Sequence, residues 1–147
     1  MGLIFLWAFF DKLLGLGFAT KPESAWLNGG SPTTGFLTNA VKGLFASTYH
    51  AMAGTGIVDW LFMLGLLLLG LALILGIGMK LAAYAGTLLM LLMYLAVLPP
   101  ANNPILDDHI IYALVLLVLH QVKAGEYFGY DKSWKKTDLV KKYKFLE

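Results

Sequence analysis

The sequence contains no cysteine and no arginine, and both absences restrict the chemistry available to the chain. Without cysteine it cannot form disulfides, thiolate metal sites, iron–sulfur clusters or covalent haem attachments. Without arginine it lacks the bidentate guanidinium clamp that commonly holds phosphates and carboxylates. Charged residues make up only 14% of the 147 positions, and hydrophobic residues make up 59%. Any redox role must therefore use a noncovalently bound organic molecule or the cofactor of a partner protein.

The longest uncharged stretches lie in the middle of the chain. Residues 60–79 and 81–98 contain no charged side chain, and Lys80 alone separates them. Because a helix rises about 1.5 Å per residue, about twenty residues cross the hydrocarbon core of a bilayer. The two stretches therefore predict a transmembrane hairpin whose turn lies at residues 76–80. Two buried helices of a soluble protein are the alternative, but a domain this small could not cover such stretches on every side.

A first span is predicted at residues 2–19, which are apolar except for Asp11 and Lys12. Eighteen helical residues would cover about 27 Å. A cleaved signal peptide is the alternative interpretation. The stretch has neither a positively charged start nor a clear small-residue cleavage site, so a retained span is the preferred prediction.

A last span is predicted after the proline-rich segment 99–104, which cannot continue a helix. Asp107 or Asp108 is expected to cap this helix, which should end near residue 124. The predicted fold is therefore an all-α, integral-membrane four-helix bundle, with a transmembrane domain at 1–131 and spans at about 2–19, 59–79, 80–98 and 108–124.

Two segments outside the spans have amphipathic patterns. Residues 20–58 are predicted to form an extracytoplasmic loop followed by an amphipathic helix, since apolar residues recur at helical spacing from Leu37 to Met52. The basic tail, residues 132–147, is predicted to be a separate amphipathic helix on the membrane surface. Seven of the eleven lysines lie from Lys123 onward. The positive-inside rule therefore predicts a multi-pass protein of the plasma membrane with both termini in the cytoplasm.

Several blocks of sequence carry a family resemblance. Residues 5–12 read Phe-Leu-Trp-Ala-Phe-Phe-Asp-Lys, residues 25–33 read Ala-Trp-Leu-Asn-Gly-Gly-Ser-Pro-Thr, and residues 59–65 read Asp-Trp-Leu-Phe-Met-Leu-Gly. Asn-Pro at 103–104 and Asp-Asp-His-Ile-Ile-Tyr-Ala-Leu at 107–114 complete the set. Over about residues 2–129 the chain resembles the DoxX family of small four-helix membrane proteins, which includes the DoxD-like subunit of thiosulfate:quinone oxidoreductase. The resemblance implies a quinone ligand and a partner subunit.

Asp11 and Lys12 are ionisable groups inside a predicted span, where a charge costs at least about 2–3 kcal/mol unless it is paired. Such residues indicate either a functional site or a structural ion pair, and both interpretations stay open. Adjacent residues of a helix point about 100° apart, so each is expected to find its partner on another helix.

The second polar cluster lies at the start of the last helix. His109 and Tyr112 share one helix face, and an acid, an imidazole and a phenol could bind a quinone headgroup and transfer protons. The alternative is helix capping by Asp108 with interfacial anchoring by the two aromatic rings. The predicted catalytic residues are Asp11, His109 and Tyr112, and the predicted ligand-binding residues are Lys12, Trp26, Asn103, Asp107 and Asp108. No ligand-spaced motif predicts a metal site.

Two functional hypotheses follow. The first is a small membrane subunit of a quinone-linked oxidoreductase, of the thiosulfate:quinone type by resemblance. The second is a non-catalytic accessory or scaffold subunit of a larger membrane complex, since the chain has no nucleophile motif, nucleotide-binding loop or redox centre. Expected partners are the lipid bilayer, a quinone, and a partner subunit or a second copy of the chain. No nucleic-acid partner is expected.

Overall fold

The computed structural model describes residues 1–100, 103 and 105–146, and these residues form helices and connecting turns without any strand. Ala101, Asn102, Pro104 and Glu147, which belong to the predicted outer loop and tail, lie outside the described residues. The α-helices are α1 Gly2–Leu14, α2 Thr34–Asn39, α3 Ala46–Met52, α4 Gly56–Leu75, α5 Met79–Val97, α6 Asp108–Gln121, α7 Ala124–Phe128, α8 Asp131–Trp134 and α9 Asp138–Lys142. Short 3-10 helices lie at Pro22–Ser24, Trp26–Asn28 and Lys144–Leu146.

Within the described part of the chain, α4 and α5 are the helices long and apolar enough to cross a membrane, with 20 and 19 residues. The turn between them lies where the sequence predicts it. Gly76 ends α4 in the left-handed conformation, with φ +63°, which favours glycine because a Cβ would be strained there. The all-helical fold and the long apolar hairpin are thus confirmed.

The first helix is shorter than predicted, because α1 ends at Leu14 rather than near residue 19. Gly15 adopts the left-handed conformation, with φ +67°, and a Cβ there would lie 2.7 Å from the Cα of Pro22. The chain therefore turns back over the end of α1. With 13 residues, α1 is about 20 Å long, which is less than the thickness of a bilayer core.

The last long helix also ends early, at Gln121 instead of residue 124. Its 14 residues cover about 21 Å. Lys123 follows in the left-handed conformation, with φ 52°, and α7 begins at Ala124. The predicted span at 108–124 therefore ends early, at a bend that precedes α7.

The four longer helices pack in chain order, with α1 against α4, α4 against α5, and α5 against α6. Close approach is possible because small residues lie at the contacts: a Cβ on Gly70 would lie 2.6 Å from the Leu6 side chain. The buried core between these helices consists of Phe5, Phe9, Met63, Leu66, Leu69, Ala82, Met90, Ala113 and Leu116.

The outward faces of the same four helices are also apolar. Leu3 on α1, Leu61 on α4, Leu88 on α5 and Val118 on α6 are each more than half exposed. A soluble domain seldom exposes apolar side chains on every helix, since large apolar patches are costly in water. The outward surface of these four helices is therefore strongly apolar.

The bundle has two distinct ends. At the inner end, defined here by the turn at residues 76–78, Gly2 lies against Ile74 and the Tyr130 N–H donates to the Leu75 carbonyl at 2.8 Å. At the outer end lie α2 and α3. The N-terminus and the C-terminal segment are therefore both at the inner end.

The predicted amphipathic helix at 37–52 is interrupted. Helix α2 ends at Asn39, and α3 begins only at Ala46. Between them Gly43 has φ +80°, and a Cβ there would collide with the Leu98 carbonyl. This tertiary contact requires glycine and breaks the helical stripe, so that Leu44 is 94% exposed.

The tail prediction also needs correction, because residues 132–146 do not form one surface helix. Val140 is 1% exposed, and the Trp134 indole donates to the Leu146 carbonyl at 2.7 Å. Lys135 bridges the buried Asp131 and Glu126 at 2.6 and 3.0 Å. The tail thus folds against the inner end of the bundle, and Lys135 of the tail pairs with the buried Asp131 that precedes it.

Candidate functional site

A cavity of about 490 Å³, called here the outer cavity, lies between the two short outer helices and the adjoining parts of α1, α4 and α5. Its wall is almost entirely aliphatic and aromatic. The lining residues are Lys12, Pro32, Thr33, Phe36, Leu37, Phe45, Thr48, Tyr49, Met52, Val58, Leu61, Phe62, Leu89, Leu92, Met93, Leu95 and Ala96. Its volume falls in the range of small-molecule sites, which are mostly apolar with a few convergent polar groups.

Lys12 is the one charged residue among the residues that line this cavity. It lies in the last turn of α1 and is partly buried. Its ammonium nitrogen is 6.0 Å from the centroid of the Phe62 ring, at the outer limit of a cation–π contact. Among the described residues Lys12 forms no hydrogen bond to a side chain and no ion pair.

Tyr49 closes one edge of the outer cavity. Its hydroxyl donates to the Leu92 carbonyl at 2.8 Å and so ties α3 to α5. Burial raises the pKa of the Tyr49 phenol. Sequence reasoning did not single out this residue, because its partner is a backbone carbonyl 43 residues away.

Asp59 holds Thr33, which lines the outer cavity, and sequence reasoning missed it as well. The carboxylate is buried at the start of α4 and accepts from the Ser31 hydroxyl at 2.9 Å, the Thr33 N–H at 3.2 Å and the Thr33 hydroxyl at 2.5 Å. Ser31 in turn accepts from the Thr34 N–H at 3.1 Å. These bonds fix the turn that begins α2. An acid directly before a long apolar run was the available signal.

Asp11 does not face the outer cavity. Its buried carboxylate accepts the backbone N–H groups of Phe18 and Ala19 at 3.3 and 3.0 Å. Both acceptor oxygens are thereby used to hold the chain that folds back after α1. In the structure Asp11 thus positions the returning chain, and its predicted catalytic role stays a prediction.

Trp26 has a packing role at the outer end. Its ring meets Trp60 edge to face, with centroids 4.6 Å apart, and packs against the main core. The indole of a tryptophan in such a pair contributes apolar contact area together with a favourable quadrupole interaction. It does not line the outer cavity.

The other predicted residues gather at the start of α6. Asp107 caps the helix by accepting from the N–H groups of His109 and Ile110 at 3.1 and 3.3 Å, and it also contacts His109 Nδ1 at 2.6 Å. Asn103 accepts from the Ile105 N–H at 2.9 Å.

Two further residues complete this second group. Asp108 is exposed in the first turn of α6, where its charge favours the helix N-terminus. Tyr112 is partly buried against the main core. The cap prediction is confirmed for Asp107, whose other carboxylate oxygen contacts the His109 ring.

The predicted common pocket is therefore not the cavity that the structure contains. Of the eight predicted site residues, Lys12 alone lines the outer cavity. Within the described residues no hydrogen bond or ion pair joins Asp11 to the cluster around His109. The apolar cavity, rather than the carboxylates, is the candidate binding site.

No protein-family model, curated protein or solved structure matches this chain.

Proposed function

We propose that the chain is a four-helix protein of the plasma membrane, with α1, α4, α5 and α6 as the membrane-embedded helices. The apolar outward faces of all four helices support this proposal. The shorter α1 and α6 would reach the interfaces through the segments that follow them. The N-terminus and the described C-terminal segment lie at the inner end together with Lys80, and seven further lysines lie from Lys123 onward, which supports the proposal that this end faces the cytoplasm.

We propose that the outer cavity binds an isoprenoid quinone, because such a molecule matches the apolar wall and the single charged group of the cavity. An apolar wall suits a hydrocarbon tail, and the Lys12 ammonium can donate a hydrogen bond to a ring oxygen. The quinone, when bound, supplies the electron-accepting group that the side chains lack. The protein would bind and orient the ring, and Tyr49 would hold α3 over it to exclude water.

The proposed biochemical role is that of a small membrane subunit of a quinone-linked oxidoreductase, of the DoxD-like type suggested by the sequence resemblance. The cavity that contains Lys12 is the single observation that carries this role. Electrons would come from a redox centre of a partner subunit, since no cysteine is present to hold a metal cluster.

The test is to purify the protein in a neutral detergent and to measure the quinone that copurifies. We expect near-stoichiometric quinone in the wild type and at least a several-fold lower content in Lys12→Met. Lys21→Met removes an exposed lysine and should leave the content unchanged. Wild-type protein free of quinone that also fails to bind added quinone would contradict the proposal.

The second candidate, a non-catalytic accessory or scaffold subunit, is favoured by a different observation. Asp11, Asp59 and Asp107 each accept a hydrogen bond from a backbone N–H of a loop or helix cap. Buried polar residues used in this way position the backbone and need no ligand. A stoichiometric partner protein, or a stable homo-oligomer, without any bound small molecule would support this candidate.

A further inference from the structure

The Lys12 ammonium lies on an apolar wall, and no carboxylate oxygen of the described residues lies within 4.0 Å of it. Lysine has three N–H donors and no acceptor, and its charge is costly to bury unless it is paired and hydrogen-bonded. The hydroxyls of Thr33 and Tyr49 donate to Asp59 and Leu92 respectively. The charge of Lys12 is therefore the unmatched feature of the outer cavity.

A ligand that brings an anionic oxygen would supply the missing partner. A bond between an ammonium and an anionic oxygen is roughly twice as strong as a bond between neutral groups. A neutral carbonyl would also accept from Lys12, but it would leave the positive charge unbalanced. Charge complementarity therefore favours an ionised headgroup over a neutral one.

The cavity also has a path for an apolar body. Leu61 and Leu92 line it and are 68% and 46% exposed, so its wall continues onto the outward apolar surface of α4 and α5. A hydrocarbon chain held at one end by Lys12 can follow this wall to the surface. The arrangement suits a molecule with one polar head and one long apolar body.

We propose that the outer cavity selects an anionic amphiphile, with one anionic oxygen on Lys12 and the apolar body between α3 and the α4–α5 hairpin. The inference rests on the proposed function in taking this cavity as the ligand site. Two sources share the required chemistry: a quinone with an ionised ring hydroxyl, and the carboxylate of a long-chain fatty acid.

The experiment compares ionised and neutral ligands of nearly the same shape by isothermal titration calorimetry on the full chain in neutral detergent. One pair is an alkylated hydroxynaphthoquinone, ionised at neutral pH, and its O-methyl ether. The other pair is oleate and methyl oleate. Each ligand is titrated into the wild type, Lys12→Met, Lys12→Arg and the exposed-site control Lys21→Met.

In the wild type and in Lys21→Met, the ionised member of at least one pair should bind about 10- to 100-fold more tightly than the neutral member, as expected for one hydrogen bond to a charged group. The preference should vanish in Lys12→Met and persist in Lys12→Arg, which keeps the charge. The comparison within the wild type needs no variant, so poor folding of Lys12→Met would leave the test intact.

The outcomes separate this inference from the quinone proposal. Equal binding of ionised and neutral naphthoquinones, without any oleate preference, would overturn the anion selectivity and leave quinone binding standing. A preference for oleate with no binding of either naphthoquinone would support the anion selectivity and refute the quinone proposal. Binding of none of the four ligands would refute both.

Discussion

Replacing Asp11 by asparagine should destabilise the protein, because the carboxylate accepts two backbone N–H groups from the segment that folds back over α1. Asparagine has a single side-chain oxygen, and its amide group would face the second N–H as another donor. A hydrogen bond to a charged acceptor contributes about 1.5–3 kcal/mol, and the neutral acceptor also weakens the bond that remains.

Part of this loss is offset, because asparagine removes the cost of keeping a carboxylate buried. We therefore expect the free energy of unfolding to fall by about 2 kcal/mol, which is within the usual range for breaking a buried polar network. Ligand binding in the outer cavity should weaken only if the end of α1, which carries Lys12, becomes mobile.

The measurement is the free energy of unfolding from titration with sodium dodecyl sulfate in mixed micelles, followed by circular dichroism. Asp108→Asn is the matched control, because Asp108 is exposed and should change stability by less than about 1 kcal/mol. The structural role of Asp11 would be refuted if Asp11→Asn left stability within about 0.5 kcal/mol of the wild type while it abolished ligand binding.

The remaining predictions concern the tail. Val140→Asp should detach the tail from the inner end and speed trypsin cleavage there by at least tenfold, because Val140 is 1% exposed; Leu139→Asp, at a half-exposed neighbour, should not. The tail should also respond to pH at both extremes. Hydrogen bonding to Asp131 raises the pKa of Lys135, so its contribution is present below the ordinary value of 10.5 and is lost as pH rises through the higher folded-state pKa. The Lys135 ammonium lowers the pKa of Glu126, so that contribution is present above 4.5 and is lost as pH falls through the lower folded-state pKa. Lys135→Met should flatten the dependence of the melting temperature on pH in both windows, as measured by circular dichroism, and an unchanged profile would contradict the bridge.

The long hairpin was predictable because its signals are local. Two uncharged runs of about the required length, separated by glycines, predict two apolar helices and a turn without knowledge of any other part of the chain. The cap of α6 is local for the same reason, since Asp107 bonds to groups two and three residues away.

The end of α1 illustrates what local patterns miss. Hydropathy continues without a break from Leu14 to Ala19, so the sequence predicts a longer helix. The helix stops because the Asp11 carboxylate and the approach of Pro22 to Gly15 stabilise a reversed chain. Hydropathy measures the preference of each residue for hydrocarbon, and it contains no information on which backbone groups a buried carboxylate will meet.

The sequence by itself determined the helical class, the apolar hairpin and the unusual presence of a lysine in the first apolar segment. Tertiary structure alone decided that Lys12 lines a cavity, because that wall is assembled from α1, α2, α3, α4 and α5. The hydrogen bonds that hold this wall in place join Tyr49 to Leu92 and Ser31 to Asp59, which are 43 and 28 residues apart in the sequence. Contacts over such distances depend on how the helices pack. The helical period of one segment shows which of its residues share a face, but it does not show which residues of another segment that face will contact.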